Sequence, residues 1–456
     1  MMTYQYQKLI EPDAIRLILL QPSEDLGSPL HCTLLRTSLT RCHNDLINKY
    51  TALSYVWGDP IRSQLARIDN ETMYITTSLD SALHNLRDTK ITRLVWADGI
   101  YINQDGIEER NQQVKQMGLV YQQADHTVIY LGEGTPETSL FLNTLLPKAP
   151  VDGNPPSLRS GSIEQVQGVL NPEVEVAARE WILARPWFKR VWILQELVLS
   201  QDPWVQCGTS VARWSSMDSH ISEIAANRML KPEEKLVQHM GNLHLQYRLD
   251  KRAKDLPSFA ERLYDLLKSR KGFGVTDPRD MLFANLGLIS HAIKDEDKLF
   301  NLIVVNYEKN ETKVYSDLAR YFLESLGDFR TFSLLDSNEK RNRSQAPSWA
   351  PDWISGPPSQ FSRLSDELKY DRRHYNGNIL LWASQFRVLV CGGVFLGVVR
   401  ELGPIIEQSL CPQIARDFSE LLHKKKGPLR ELCLLIKSAF EKMYQSTRRG
   451  DTCSAH

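Results

Sequence analysis

The stretch from Arg93 to Leu131 constrains the fold more than any other, because a strand, a helix and a second strand follow one another with little linker between them. Leu94-Val95-Trp96-Ala97 is a short apolar run with Asp98 at its carboxyl end. Glu108 and Glu109 open a helical stretch, where the helix dipole favours acids, and Val114, Met117, Val120, Tyr121 and Ala124 form its apolar stripe. Thr127 to Leu131 is the next strand, ended by Gly132. Antiparallel strands can be joined by a tight turn, whereas parallel ones need a crossover of this kind. The spacing therefore predicts an α/β domain built on a parallel sheet.

Other segments fit around that unit. Residues 14–20 and 30–35 read as strands joined by a Pro/Ser/Gly loop, and Thr51 to Trp57 is a β-rich run stopped by Gly58-Asp59-Pro60. Ser78 to Arg87 reads as a helix with Leu79, Ala82, Leu83 and Leu86 on one face. Helices are expected at about 173–184 and 186–200, with Pro186 in a first turn, and then over 218–247, 258–270, 278–288 and 312–327. Thr276-Asp277 reads as a cap, with Pro278 at the first helical position and Arg279 paired to Asp280. Pro/Trp-rich residues 346–353 mark a boundary before a strand-like region near 379–399 and a charged helical tail. The expected organisation is N-terminal strands over 1–47 packing on a sheet domain, and that domain over 48–205 with a Pro/Gly/Ser-rich insertion at 147–172. A helical extension over 206–345 and a C-terminal region over 346–456 follow. No internal repeat is visible, which argues against solenoids and propellers.

Composition narrows the function classes. The 55 Lys+Arg balance 55 Asp+Glu, so there is no basic excess to neutralise a nucleic-acid backbone. The densest basic run, Lys424-Lys425-Lys426, reads as a solvated helix face. The 7 cysteines include no C-x-x-C pair, and His239 and His244 lack metal-ligand spacing, so the expectation is a reducing compartment and no metal. The start of the chain lacks a signal-peptide pattern, and the apolar stretch Val388–Val399 is too short to span a bilayer. A cytoplasmic protein without a membrane span is expected.

Several residues stand out chemically. On a continuous helix over 186–200, positions 188, 191, 192, 195 and 199 share one face, which places Gln195 in an apolar stripe and Glu196 a turn beyond Trp192. This pattern fits a buried hydrogen-bond node, and it also fits a cleft carboxylate beside an aromatic ring. Asp98 follows a strand, where open α/β sheets place their ligand crevices, although a cap-and-turn role with Asn103, Gln104 and Asp105 explains it equally. Ser54 and Tyr55 point to opposite faces of their strand, and Ser54 lacks the G-x-S-x-G elbow of a nucleophile. The glycines at 272, 274, 392, 393 and 397 complete neither a P-loop nor a dinucleotide motif.

In order along the chain, Tyr50 to Gly58, Leu94 to Gln104 and Arg185-Pro186-Trp187-Phe188 through Gln195-Glu196 resemble the three blocks of the fungal heterokaryon-incompatibility (HET) domain. Glu109-Arg110, Gln113-Val114, Met117, Tyr121 and Ala124 continue the second block. Downstream, Thr276 to Asp280, Leu286-Gly287-Leu288, Asn306-Tyr307 and Pro347 to Trp353 resemble segments that follow HET domains, so the likeness runs over about residues 4 to 400. The second block departs from the family, with Ala97, Gly99 and Tyr101 where Ile, Ala and Cys are usual, and the tail after about residue 405 is short against longer relatives.

The resemblance implies a flavodoxin-like sheet, since HET domains are similar to TIR domains. It also implies a role in non-self recognition and programmed cell death, exercised through self-association or an allelic protein partner. Many TIR domains carry a Trp followed four residues later by Glu, a spacing matched by Trp192 and Glu196. The likeness thus implies a second function, cleavage of the nicotinamide–ribose bond of NAD as substrate. In that reading Glu196 is the catalytic carboxylate, Trp192 shapes the pocket, and Ser54, Trp57 and Asp98 line it. A third reading is an accessory protein with a degenerate, non-toxic HET domain.

Overall fold

The computed structural model describes residues 4–44, 49–69, 71–102, 106–146, 171–250, 257–271, 273–289, 298–326, 330–334, 347, 349–354, 380–383 and 388–391. It divides into one unit of residues 1–326 with 353–357, and a second of 327–352 with 358–456. The first unit opens with β1 (Ala14–Leu20), β2 (Leu30–Ser38), α1 (Leu39–His43), β3 (Thr51–Tyr55), β4 (Arg62–Ile68), β5 (Glu71–Thr76) and α2 (Thr77–Leu86). The crossover follows as β6 (Arg93–Trp96), α3 (Asp98–Tyr101), α4 (Ile107–Gln123) and β7 (His126–Tyr130). Next come α5 (Pro136–Thr144), α6 (Pro172–Leu183), α7 (Ile193–Val198), β8 (Pro203–Cys207) and β9 (Ser210–Arg213). The extension contributes α8 (Trp214–Asn227), α9 (Pro232–Asp250), α10 (Phe259–Arg270), α11 (Asp280–Ile289) and α12 (Glu311–Leu326).

All nine strands form one sheet, in the order β5-β4-β2-β1-β6-β3-β7-β8-β9. β3 pairs in parallel with β6 and β7, and β7 with β8, so the expected parallel core exists over four strands. The sheet is nevertheless mixed, because β1 lies between β2 and β6 and is antiparallel to both. The reason is burial on both faces: Ile15, Leu17, Ile18 and Leu20 are each 0% exposed, and a strand so enclosed must satisfy its backbone on both edges. Arg16, also buried within β1, is held by Glu109 at the start of α4, with Nη1–Oε1 at 2.5 Å and Nη2–Oε2 at 3.0 Å. The same Glu109 sits where the helix dipole favours an acid.

The expected continuous helix over 186–200 is instead two pieces, a 3-10 turn at Pro186–Lys189 and α7. The break at Arg190 is extended (φ −78, ψ 146) because the local backbone is used elsewhere. The Gly274 N–H donates to the Lys189 carbonyl at 2.9 Å, and the Val191 N–H donates to the Gly274 carbonyl at 3.2 Å. This short parallel bridge rotates residues 186–189 out of register with α7, so the single face drawn through 188, 191, 192, 195 and 199 does not exist. Likewise α11 starts at Asp280, after Pro278, and Arg279 pairs with Asp277 (Nη2–Oδ2 2.7 Å) rather than with Asp280. The helix expected over 218–247 is divided between α8 and α9.

Gln195 is a buried node where α4, α7 and α11 cross. With its amide oriented as the hydrogen bonds require, Nε2 donates to the Ala284 carbonyl at 3.0 Å and Oε1 accepts from the Gly118 N–H at 2.6 Å. Gly118 and Gly287 flank it, and a Cβ at either would collide with the amide. Two glycines inside helices thus serve close packing, at the usual cost in helix propensity. In the second unit β10 (Leu380–Ala383) and β11 (Val388–Cys391) pair antiparallel, where strands were expected near 379–399. Asn103-Gln104-Asp105, most of the 147–172 insertion, the lysine run and the helical tail lie outside the described residues.

Candidate functional site

The carboxyl ends of β3 and β6 meet the segment 187–196, and there the polar residues converge. Ser54 is 1% exposed near the end of β3; its hydroxyl donates to Glu196 Oε2 and accepts from the indole N–H of Trp187 at 2.7 Å. Glu196, 2% exposed on α7, also faces Arg190, whose Nη2 lies 3.3 Å from Oε1 and whose Nη1 lies 3.4 Å from Oε2. Arg190 Nη1 donates further to the Tyr55 carbonyl at 2.7 Å. Strand alternation sends Tyr55 to the other face, where its hydroxyl occupies the space a Cβ on Gly99 would need. Gly99, one of the departures in the second block, thereby makes room for that tyrosine.

Asp98 begins α3, and Trp57 Nε1 donates to its Oδ2 at 2.8 Å, while the Tyr55 hydroxyl is a second hydrogen-bond partner of the buried carboxyl. Burial pushes the Asp98 carboxyl up to about 6; the Arg190 charge and the Trp57 bond oppose this, and the Glu196 charge adds to it. Burial alone would lower Arg190, but the charges of Glu196 and Asp98 outweigh it and hold the guanidinium above its ordinary value. Burial, followed by the Asp98 charge, raises the Tyr55 phenol well above the usual range. One guanidinium thus serves two carboxylates, and an indole–hydroxyl–carboxylate chain runs beneath it.

Residues 50–196 match the family profile of the heterokaryon incompatibility protein (HET). This segment is a HET domain. It opens just before Ser54 and closes on Glu196, so the Ser54–Glu196 bond ties its two ends together. A similar protein is Heterokaryon incompatibility protein 6, OR allele, of Neurospora crassa, 25% identical over 422 residues that cover 77% of this chain and 59% of the relative. The chain therefore spans well under two thirds of that relative's length. No solved structure matches it.

Within the HET domain the sequence-selected residues separate into two places. Ser54, Trp57, Asp98 and Glu196 gather around Arg190. Trp192 does not join them: its indole N–H donates to Asp280 Oδ2 at 3.1 Å, and Asp280 also accepts from the Tyr307 hydroxyl at 2.6 Å. The Trp–Glu spacing holds, with the Glu196 N–H on the Trp192 carbonyl at 3.2 Å, but the two side chains serve different partners.

Arg190 and Trp187 are the residues that sequence reasoning missed. A basic residue a few positions before a buried acid was a usable signal, since a buried charge needs a counter-charge. Trp187 carried no signal of its own, because its role depends on the break after residue 189. Among the described residues no group of three His, Cys, Asp or Glu could hold a metal, and no helix is long and apolar enough to cross a membrane. A cleft of about 410 Å³ opens beside the amino ends of β7 and β8, lined among others by Gln122, Ser200 and Arg248, and it includes none of the residues above.

Proposed function

We propose that this protein is an incompatibility effector whose HET domain signals non-self by associating with another protein or with itself, leading to growth arrest or cell death. The observation that supports this reading is the saturation of the Glu196 carboxylate. It is 2% exposed and both of its oxygens are engaged, by Ser54 and Arg190, so it serves the fold as a node rather than facing a substrate. The HET domain and the incompatibility relative support the biological setting.

One observation favours a second reading, NAD glycohydrolase chemistry. Asp98, bonded by Trp57 and Tyr55, lies at the carboxyl edge of the sheet near Arg190, and a carboxylate there would stabilise an oxocarbenium-like transition state. The experiment compares wild type, Glu196→Gln and Asp98→Asn for growth arrest in fungal cells and for nicotinamide release from NAD by purified protein. The effector reading expects arrest without nicotinamide release. Release by wild type that Asp98→Asn abolishes would replace it with the enzymatic reading. Absence of arrest at high expression would favour the degenerate HET domain.

A further inference from the structure

The segment bearing Arg190 is gripped by residues that follow the HET domain. Arg270, at the end of α10, donates from Nη2 to the Arg190 carbonyl at 3.1 Å and to the Val191 carbonyl at 2.8 Å. Gly274 bridges Lys189 and Val191 through the two backbone bonds already described, and a Cβ there would lie 3.0 Å from the Lys189 carbonyl oxygen. Asp280 takes the Trp192 indole N–H at 3.1 Å. Every residue from Lys189 to Trp192 is thus held from outside the segment matched to the family. On its other side the same stretch presents Arg190 to Glu196 and to the Tyr55 carbonyl.

The grip is not a source of cheap stability. Arg270 is 1% exposed and stacks on Phe273 with its guanidinium carbon 3.8 Å from the ring centre, yet its Nε and Nη1 have no hydrogen-bond partner among the described residues. Burial without a carboxylate draws its pKa down to about 9. A buried cation satisfied by two carbonyls alone costs free energy that an apolar side chain would not. Its use at this point selects one conformation of the Arg190 segment.

We propose that Arg270, Gly274 and Asp280 form a built-in restraint on the HET domain. They hold Lys189–Trp192 so that Arg190 stays closed over Glu196 and Ser54, and the domain signals when this hold is released. The proposal rests on the effector reading for its signalling half, and on backbone geometry alone for its structural half. The two halves separate by experiment. Hydrogen exchange on the full chain is compared for wild type, Arg270→Met and Gly274→Ala, and the same proteins are expressed in fungal cells. Amides of residues 187–199 are expected to exchange on the order of tenfold faster in both variants, with β3, β7 and β8 unchanged. Both variants are expected to arrest growth at lower expression than wild type. Should Arg270→Met fail to fold, Gly274→Ala, whose strain is a few tenths of an ångström, carries the comparison. Unchanged exchange over 187–199 overturns the restraint. Faster exchange with weaker arrest than wild type also overturns it, since the segment would then be a support. Faster exchange with no arrest by any of the proteins supports the restraint and overturns the effector reading.

Discussion

Replacing Glu196 by alanine tests whether the central carboxylate is a structural node. The side chain is 2% exposed and its partner Arg190 20% exposed, so the substitution strands a mostly buried guanidinium. It also removes the acceptor of the Ser54 hydroxyl. Breaking a buried pair by removing one member costs about 3–5 kcal/mol; Arg190 keeps some solvent and the charge of Asp98, so the lower end, about 3 kcal/mol, applies. At roughly 2 °C per kcal/mol for a unit of this size, the melting temperature falls by about 6 °C. Urea unfolding followed by tryptophan fluorescence measures this directly, because Trp187 is two hydrogen bonds from the lost carboxylate. Adding Arg190→Met removes the stranded charge and should restore about half of the loss, a coupling that a double-mutant cycle reads. A Glu196→Ala protein as stable as wild type, or more stable, would refute the reasoning. That is the behaviour of a functional group held at the expense of the fold. The same magnitude explains why Glu196→Gln is the better variant for activity assays.

Three further outcomes follow from the geometry. Burial raises Asp280 to about 6, so the folded state binds its proton more tightly than the unfolded chain and loses stability as pH rises from about 4 to about 6. Asp280→Asn should therefore gain on wild type across that window and hold an advantage of about 2 kcal/mol at pH 7, measured by denaturant unfolding at several pH values. Glu234 runs the other way. Hydrogen bonds from Arg228 bring it down to about 2, against the effect of burial, so its contribution is present above about 4.5 and lost as pH falls towards 2. Glu234→Gln should cost about 3 kcal/mol at pH 7 and little at pH 2, seen as a flattened acid limb of the stability profile. Gly287→Ala gains about 1 kcal/mol of helix propensity but drives a Cβ into the Gln195 amide, and the net expected is a loss of about 2 kcal/mol in thermal unfolding.

The readable parts of this chain were those governed by local periodicity. The α2 face through Leu79, Ala82, Leu83 and Leu86 and the acidic opening of α4 depend on a few consecutive residues, and the structure has both. The place of β1 was not readable, since Arg16 in an apolar strand shows its purpose only when Glu109 arrives beside it. The same holds for the break at Arg190. Residues 186–200 have sound helical propensity, and a glycine some 80 positions later overrides it by competing for the backbone. Ser54, Asp98 and Glu196 were legible as single polar residues at strand ends or in an apolar stripe. Arg190 was legible only as a counter-charge for Glu196; that it also faces Asp98 was not, because strand order brings β3 beside β6 and no spacing records that.

The position of β1 has a practical consequence for anyone isolating the HET domain. A fragment cut at residues 50 and 196 would lose β1 and β8 together, uncovering one edge of β6 and one of β7. Those edges carry Leu94, Val95, Val128 and Ile129, and bare apolar edges recruit strands from other chains. Clumping of such a fragment would then report on where it was cut and not on a property of the whole chain, so assembly assays need boundaries that keep residues 14–20 and 203–207 in place.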